Sequence, residues 1–222
     1  MKRLDAILKS KWTKACLFVL CLVPLGELIW MIFTDGLGPN PINSAEHFTG
    51  DWTIRFVCIT LAVTPLREIL RQPQLIRFRR MLGLYAFFYG SLHFTTWFAI
   101  DNFFNVHDIS KDIVKRPFVT VGFTAFVLMI PLAITSTKGM VRRLGYKRWL
   151  FIHRAIYVTA ILAVIHYLWL VKSDKTRPLR YGAVVAVLLL WRVGTWLRDR
   201  KKRQAQHARL AREAPSRIET AS

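Results

Sequence analysis

The sequence predicts an all-α integral membrane protein, a six-transmembrane-helix bundle with both termini cytoplasmic. Three observations predict it. The 222 residues are 53% hydrophobic with a mean hydropathy of +0.29, yet the formal net charge is +20, a pairing that suits apolar spans joined by basic loops. Six stretches are long and apolar enough to cross a hydrocarbon core of about 30 Å at about 1.5 Å per residue. The basic residues fall between those stretches and collect on one side.

The first stretch, 15–34, follows "MKRLDAILKSKWTK", which resembles the basic start of a signal peptide. No small-residue cleavage site follows and five more spans come after, so an uncleaved helix is expected. The next segment, "DGLGPNPINSAEHFTGD" at 35–51, is rich in Gly, Pro and Asn and holds no basic residue. It reads as an ordered turn region on the outer face. The second span, 52–70, is the least apolar, with Arg55 near its start and "TPLRE" near its end. Spans at 81–100, 118–137, 149–170 and 180–197 complete the set.

Of the 33 Lys and Arg, twenty-four lie in 1–14, 67–80, 138–148 and 192–222, and seven lie in the loops on the other side. The excess marks the cytoplasmic face. The organisation expected is a cytoplasmic N-terminus at 1–14, a transmembrane domain at 15–198 and a basic cytoplasmic tail at 199–222, with the tail held at the anionic lipids of the inner leaflet. A pI near 10.7 falls in the range of nucleic-acid binders. The clustering of charge at span ends excludes that class, and no nucleic acid is expected. Cys16, Cys21 and Cys58 sit within apolar stretches without metal-ligand spacing, so neither a disulfide framework nor a zinc site is implied.

Ionisable groups inside a bilayer are costly and mark function. Of six histidines, His93, His153 and His166 fall within spans, while His47, His107 and His207 do not. The third and fifth helices both run outward, and His93 and His166 lie in their outer halves, at a common level. Two neutral imidazoles facing each other across one iron would form a bis-histidine haem site. Gly83 and Gly90 share a face near His93. They leave room either for a porphyrin or for close helix contact.

His153 precedes His166 by 13 residues, about 19.5 Å along a helix and about 140° around it. No histidine lies at its level on the third helix, where Arg79 and Arg80 stand. Three readings stay open: a second haem with an unusual or missing sixth ligand, an alternative ligand for a single haem, or a polar residue at the interface. Arg77, Arg79, Arg80 and Arg154 lie at the same face. They serve either as topology determinants beside lipid phosphate or as partners for haem propionates or a flavin phosphate. Glu27, midway along the first helix, is read as a buried acid for a proton path, a quinone site or an ion pair.

Several strings are specific. "AEHFTG", "LIRFRRMLGLY", "SLHFT", "ITSTKGMVRRLG" and "FIHRAIYVTAILAVIHYLW" resemble one family, the haem-binding membrane subunit of the bacterial protein-methionine-sulfoxide reductase system (MsrQ, also called YedZ), in the ferric-reductase-like transmembrane group. The resemblance spans about residues 15–198 and leaves out the tail. It implies b-type haem, one or two groups, held by His93, His153 and His166, with FMN as a further cofactor. It implies an inner-membrane protein passing electrons from the quinone pool or a cytoplasmic flavin reductase to a periplasmic molybdopterin-containing methionine-sulfoxide reductase subunit, in repair of oxidised envelope proteins.

An electron-transfer subunit is the expected class, with substrate reduction in the partner. A self-contained ferric or oxygen reductase would need flavin and nicotinamide domains, but about 25 residues follow the last span and no GxGxxG is present. A transporter or assembly factor, with the histidines in proton relay or packing, is the alternative outside redox chemistry.

Overall fold

The computed structural model describes residues 2–219, with side chains at 5–137 and 139–206. Those residues form helices and connecting turns, with no strand among them. Helix α1 (Lys2–Lys9) leads into α2 (Lys11–Phe33), whose start is capped by the Ser10 hydroxyl accepting the Trp12 amide at 3.2 Å. Helix α3 (Pro41–Ile69) is followed by a short 3-10 turn, Pro73–Leu75, and by α4 (Ile76–Thr95), which widens into a π-helical stretch, Thr96–Asp101. Then come α5 (Val106–Lys115), α6 (Pro117–Ile134), α7 (Lys138–Leu144), α8 (Tyr146–His153), α9 (Ala155–Leu170) and α10 (Thr176–Glu219).

Four helices are long and apolar enough to cross a membrane: Lys11–Phe33, Pro117–Ile134, Tyr146–Leu170 and Thr176–Gln206. The chain is a multi-pass membrane protein. Helices α3 and α4 are as long, but Asp51, Arg55, Arg67 and Glu68 in one and Arg77, Arg79 and Arg80 in the other reduce their apolarity.

Two compact units are present, Met1–Val185 and Ala186–Ser222. In the first, α3 packs along α4, α6 packs along α9, and α4 meets α6. The exposed faces carry Phe18, Val23, Trp30, Val127 and Ile161, as a surface facing hydrocarbon requires. The second unit is helical and carries Leu190, Val193, Trp196 and Leu197 on exposed positions. Arg198 lies over Trp191 at 6.0 Å and Arg200 over Trp196 at 5.5 Å, a cation–π pairing of the kind found where apolar and aqueous layers meet. The expected leaflet-anchoring tail, with His207, falls largely outside the described side chains.

Four local expectations change. The outer segment 35–51 is a turn only as far as Asn40. Asn40 caps α3 by accepting the Asn43 amide at 3.3 Å, Pro41 occupies the first helical turn, and the helix then runs unbroken through His47 and Asp51. The third helix keeps α geometry only to Thr95. The fifth span, Tyr146–Leu170, carries a change in its helical hydrogen bonding at Arg154, between α8 and α9, which the straight-helix spacing of His153 and His166 did not include. Glu27 lies on the exposed face of α2 and is not buried. The glycines divide: a Cβ on Gly83 would meet the Thr60 methyl of α3 at 3.6 Å, a helix contact, whereas Gly90 lines the cavity described next.

Candidate functional site

Helices α3, α4, α6 and α9 line a cavity of about 370 Å³, within the range of small-molecule and cofactor sites. Phe94, Phe118, Phe123, Phe126, Val57 and Met129 supply much of its wall. Phe94 stacks on Phe126 with centroids 4.7 Å apart and planes 12° apart. Such a surface suits a flat apolar ring system.

His93 of α4 and His166 of α9 enter the cavity from opposite helix pairs. Their ring centroids are 6.1 Å apart, with planes at 75°. Each ring is anchored by one nitrogen. His93 Nδ1 donates to the Glu46 carbonyl at 2.9 Å, and His166 Nδ1 donates to the Phe118 carbonyl at 2.7 Å. A carbonyl can only accept, so Nδ1 carries the proton in both rings and Nε2 keeps its lone pair. A metal–imidazole bond is about 2.0–2.1 Å and a ring centre lies about 1.1 Å beyond the nitrogen, so two imidazoles on opposite sides of one metal have centres roughly 6 Å apart. The observed separation matches that value. Thr159, two turns before His166, also lines the cavity, and its buried hydroxyl has no hydrogen-bond partner among the described residues. The donor set, spacing and wall fit a haem.

One end of the cavity is polar, with Asn40, Asn43, Glu46, His47, Asp101 and Arg116. Burial, reinforced by the negative Asp101, pushes the Glu46 carboxyl up to about 7. Arg116 pairs with Asp112 at 3.3 Å. Along the neighbouring wall Asp51 meets Arg55 at 3.8 Å and Arg177 at 3.7 Å, and Arg55 Nε donates to the Tyr181 hydroxyl at 3.0 Å. These contacts tie α3 to the start of α10.

The remaining expected residues lie elsewhere. His153 shares a hydrogen bond with the Thr135 hydroxyl at 3.0 Å and stacks on Trp149 at 4.1 Å. Trp149 in turn donates its indole N–H to the Thr135 carbonyl at 3.1 Å. The charges of Arg79 and Arg80 act on His153. Arg77 donates to the carbonyls of Leu8 at 2.9 Å and Lys9 at 2.5 Å, closing the end of α1. Arg79 is half-buried, Arg80 and Arg154 are exposed, and none of the four arginines lines the cavity. The structure thus unites His93 with His166 and places His153 in a separate polar cluster.

Sequence reasoning missed Gly50 and Gly122. A Cβ on Gly50 would stand 3.2 Å from His93 Cε1 and Nδ1, and one on Gly122 would stand 2.5 Å from His166 Nδ1. The available signal was that Gly122 is the one glycine in the apolar stretch 118–137. Glu46 and Arg116 were also missed, because the first was assigned to a loop and the second counted only toward topology.

Residues 49–164 match the family described as ferric reductase like transmembrane component. A protein of Herminiimonas arsenicoxydans named protein-methionine-sulfoxide reductase heme-binding subunit MsrQ is 55% identical over 86% of this chain and 89% of its own. Proteins of the same name from Ralstonia nicotianae and Polaromonas naphthalenivorans are 51% and 46% identical. They align over 81% and 87% of this chain, and over 84% and 92% of their own lengths.

Proposed function

We infer function from one premise: the chain belongs to the MsrQ family of haem-binding subunits, within the ferric-reductase-like transmembrane group. On that premise the chain is a b-type haem electron-transfer subunit of a protein-methionine-sulfoxide reductase. The observation that carries the reading is the close imidazole pair, His93 and His166, each with Nδ1 bound to a helix carbonyl and Nε2 left with its lone pair. When bound, haem would supply a one-electron centre, and His93 and His166 are the residues that would hold it. The protein's part is to hold both imidazoles, exclude water with the phenylalanine wall, and set the local charge through Glu46, Asp101 and Arg116 at the polar end.

The full arrangement proposed is six spans at 15–34, 52–70, 81–100, 118–137, 149–170 and 180–197, with cytoplasmic termini, in the bacterial inner membrane. The transmembrane domain is 15–198 and the basic tail 199–222. Helices α3 and α4 cross the bilayer despite their charges because each packs along the other and along the cavity. The polar end of the cavity then opens outward, where electrons leave for a periplasmic molybdopterin-containing reductase. Quinone or a cytoplasmic flavin reductase donates them, and FMN is a further cofactor. These finer parts rest on the family resemblance, as does ligation by His153. Its separation from the cavity speaks against service to the same haem as His93 and His166.

The test is optical. Purified wild-type protein should be red with a reduced b-type α band, and His93→Ala or His166→Ala should remove the bis-imidazole component. Folded but colourless wild-type protein would sink the reading.

A further inference from the structure

We propose that Gly50 and Gly122 are positioning residues, each forming with the carbonyl four residues earlier a seat that fixes one ligand imidazole. The proposal rests on the haem reading above. In an α-helix the Cα–Cβ bond tilts toward the N-terminus, so a side chain at i+4 overhangs the carbonyl of residue i. That carbonyl already accepts the i+4 amide, but its second lone pair can accept again. A side chain from another helix reaches it when nothing overhangs.

The structure has this arrangement twice. Glu46 and Gly50 on α3 stand four residues apart, as do Phe118 and Gly122 on α6. His93 bonds the Glu46 carbonyl and lies 3.2 Å from where a Gly50 side chain would begin. His166 bonds the Phe118 carbonyl and lies where a Gly122 side chain would begin. Two helices present the same carbonyl–glycine register to ligands from two other helices. Gly83 lacks the arrangement, and a Cβ there would meet a methyl at ordinary contact distance.

A ring held by Nδ1 and pressed against bare backbone cannot turn about its Cβ–Cγ bond. The two seats therefore keep the imidazole planes near the 75° observed. Ligand-plane angle governs the splitting of the ferric d orbitals, so crossed planes give a low-spin resonance with a large maximal g value, and parallel planes a smaller one. The seats are graded. A methyl at position 50 needs a shift of a few tenths of an ångström, whereas at position 122 it occupies the ring's own space.

The experiment compares haem-loaded, full-length wild type, Gly50→Ala, Gly122→Ala and Gly83→Ala by optical spectra, ferric electron paramagnetic resonance and midpoint potential. Wild type and Gly83→Ala should show the crossed-plane low-spin signal. Gly122→Ala should lose about tenfold or more of it to a high-spin form, restored in part by added imidazole. Gly50→Ala should keep low-spin haem with shifted g values and potential. Haem bound with unshifted signals in both Gly50→Ala and Gly122→Ala overturns the seats. A Gly122→Ala chain that does not fold leaves the decision to Gly50→Ala, whose wild-type signal overturns the proposal and whose shifted signal supports it. A wild type without haem overturns the cofactor reading instead.

Discussion

Tyr89 donates its hydroxyl proton to the Cys21 carbonyl of α2 at 2.9 Å. The same hydroxyl accepts the Leu25 amide at 3.1 Å. Cys21 and Leu25 are an i, i+4 pair, so an α4 side chain is inserted into the hydrogen-bond ladder of α2, beside Pro24. Helices bend at such insertions and at proline. Tyr89 is fully buried, and Tyr85 one turn away donates to the Phe18 carbonyl at 2.8 Å. Two tyrosines thus attach α2 to α4.

Tyr89→Phe should destabilise the protein by about 1–3 kcal/mol, because it removes the shared partner of a carbonyl and an amide away from water. Thermal unfolding of the purified protein in detergent measures it. An unchanged midpoint would show that the ladder closes without the hydroxyl.

His153→Ala should leave the low-spin component due to His93 and His166 in place. His153 bonds Thr135 and stacks on Trp149, outside the cavity. Haem quantification should show either no loss or the loss of a separate component. Disappearance of all haem from a folded variant would contradict the separation.

Glu46 gives a pH dependence with a definite sign. Its carboxyl rises from an ordinary 4.5 to about 7 in the folded chain, so the folded state binds the proton more tightly than the unfolded state. The stability it contributes is complete below about pH 4.5 and is lost as pH rises through about 7. Its partial exposure limits the swing to roughly 1–2 kcal/mol. Glu46→Gln should flatten the profile and be the more stable form above about pH 7. Unfolding midpoints at acid and alkaline pH decide this, and parallel profiles for the two proteins would refute it.

Arg77→Ala should release α1 without changing the haem spectrum. The guanidinium is committed to the Leu8 and Lys9 carbonyls, and charge-assisted bonds of this kind are worth about 1.5–3 kcal/mol. Amide exchange in α1 should accelerate about tenfold or more, on the scale of that energy. A spectral change with α1 still protected would assign the side chain to a cofactor instead.

The pairing of His93 with His166 was legible because depth in a membrane is a sequence coordinate: residue counts from span ends placed both rings at one level. The apolar stretches 118–137 and 149–170 were legible for the same reason, since lipid imposes length and composition directly. The helical start at Asn40–Pro41 was encoded in its cap and its proline, but the surrounding Gly, Pro and Asn residues read more strongly as turn. Gly50 and Gly122 were illegible for a different reason. A glycine's role depends on which helix lies opposite, and that is a property of tertiary packing with no local period. Glu27 shows the reverse error: midway position in a span implied burial, whereas α2 touches its neighbours along only one face.

The two histidines proposed as ligands belong to different helix pairs, His93 to α3–α4 and His166 to α6–α9. Each pair forms half of the site from nearby sequence, carbonyl and glycine included, and neither half can clasp a metal from both sides. A group bound by both is bound only by the docked arrangement, so by linkage it stabilises docking in proportion to the logarithm of its concentration over its dissociation constant. Haem held in this way would mark a chain whose two halves have met, and colour would then report assembly.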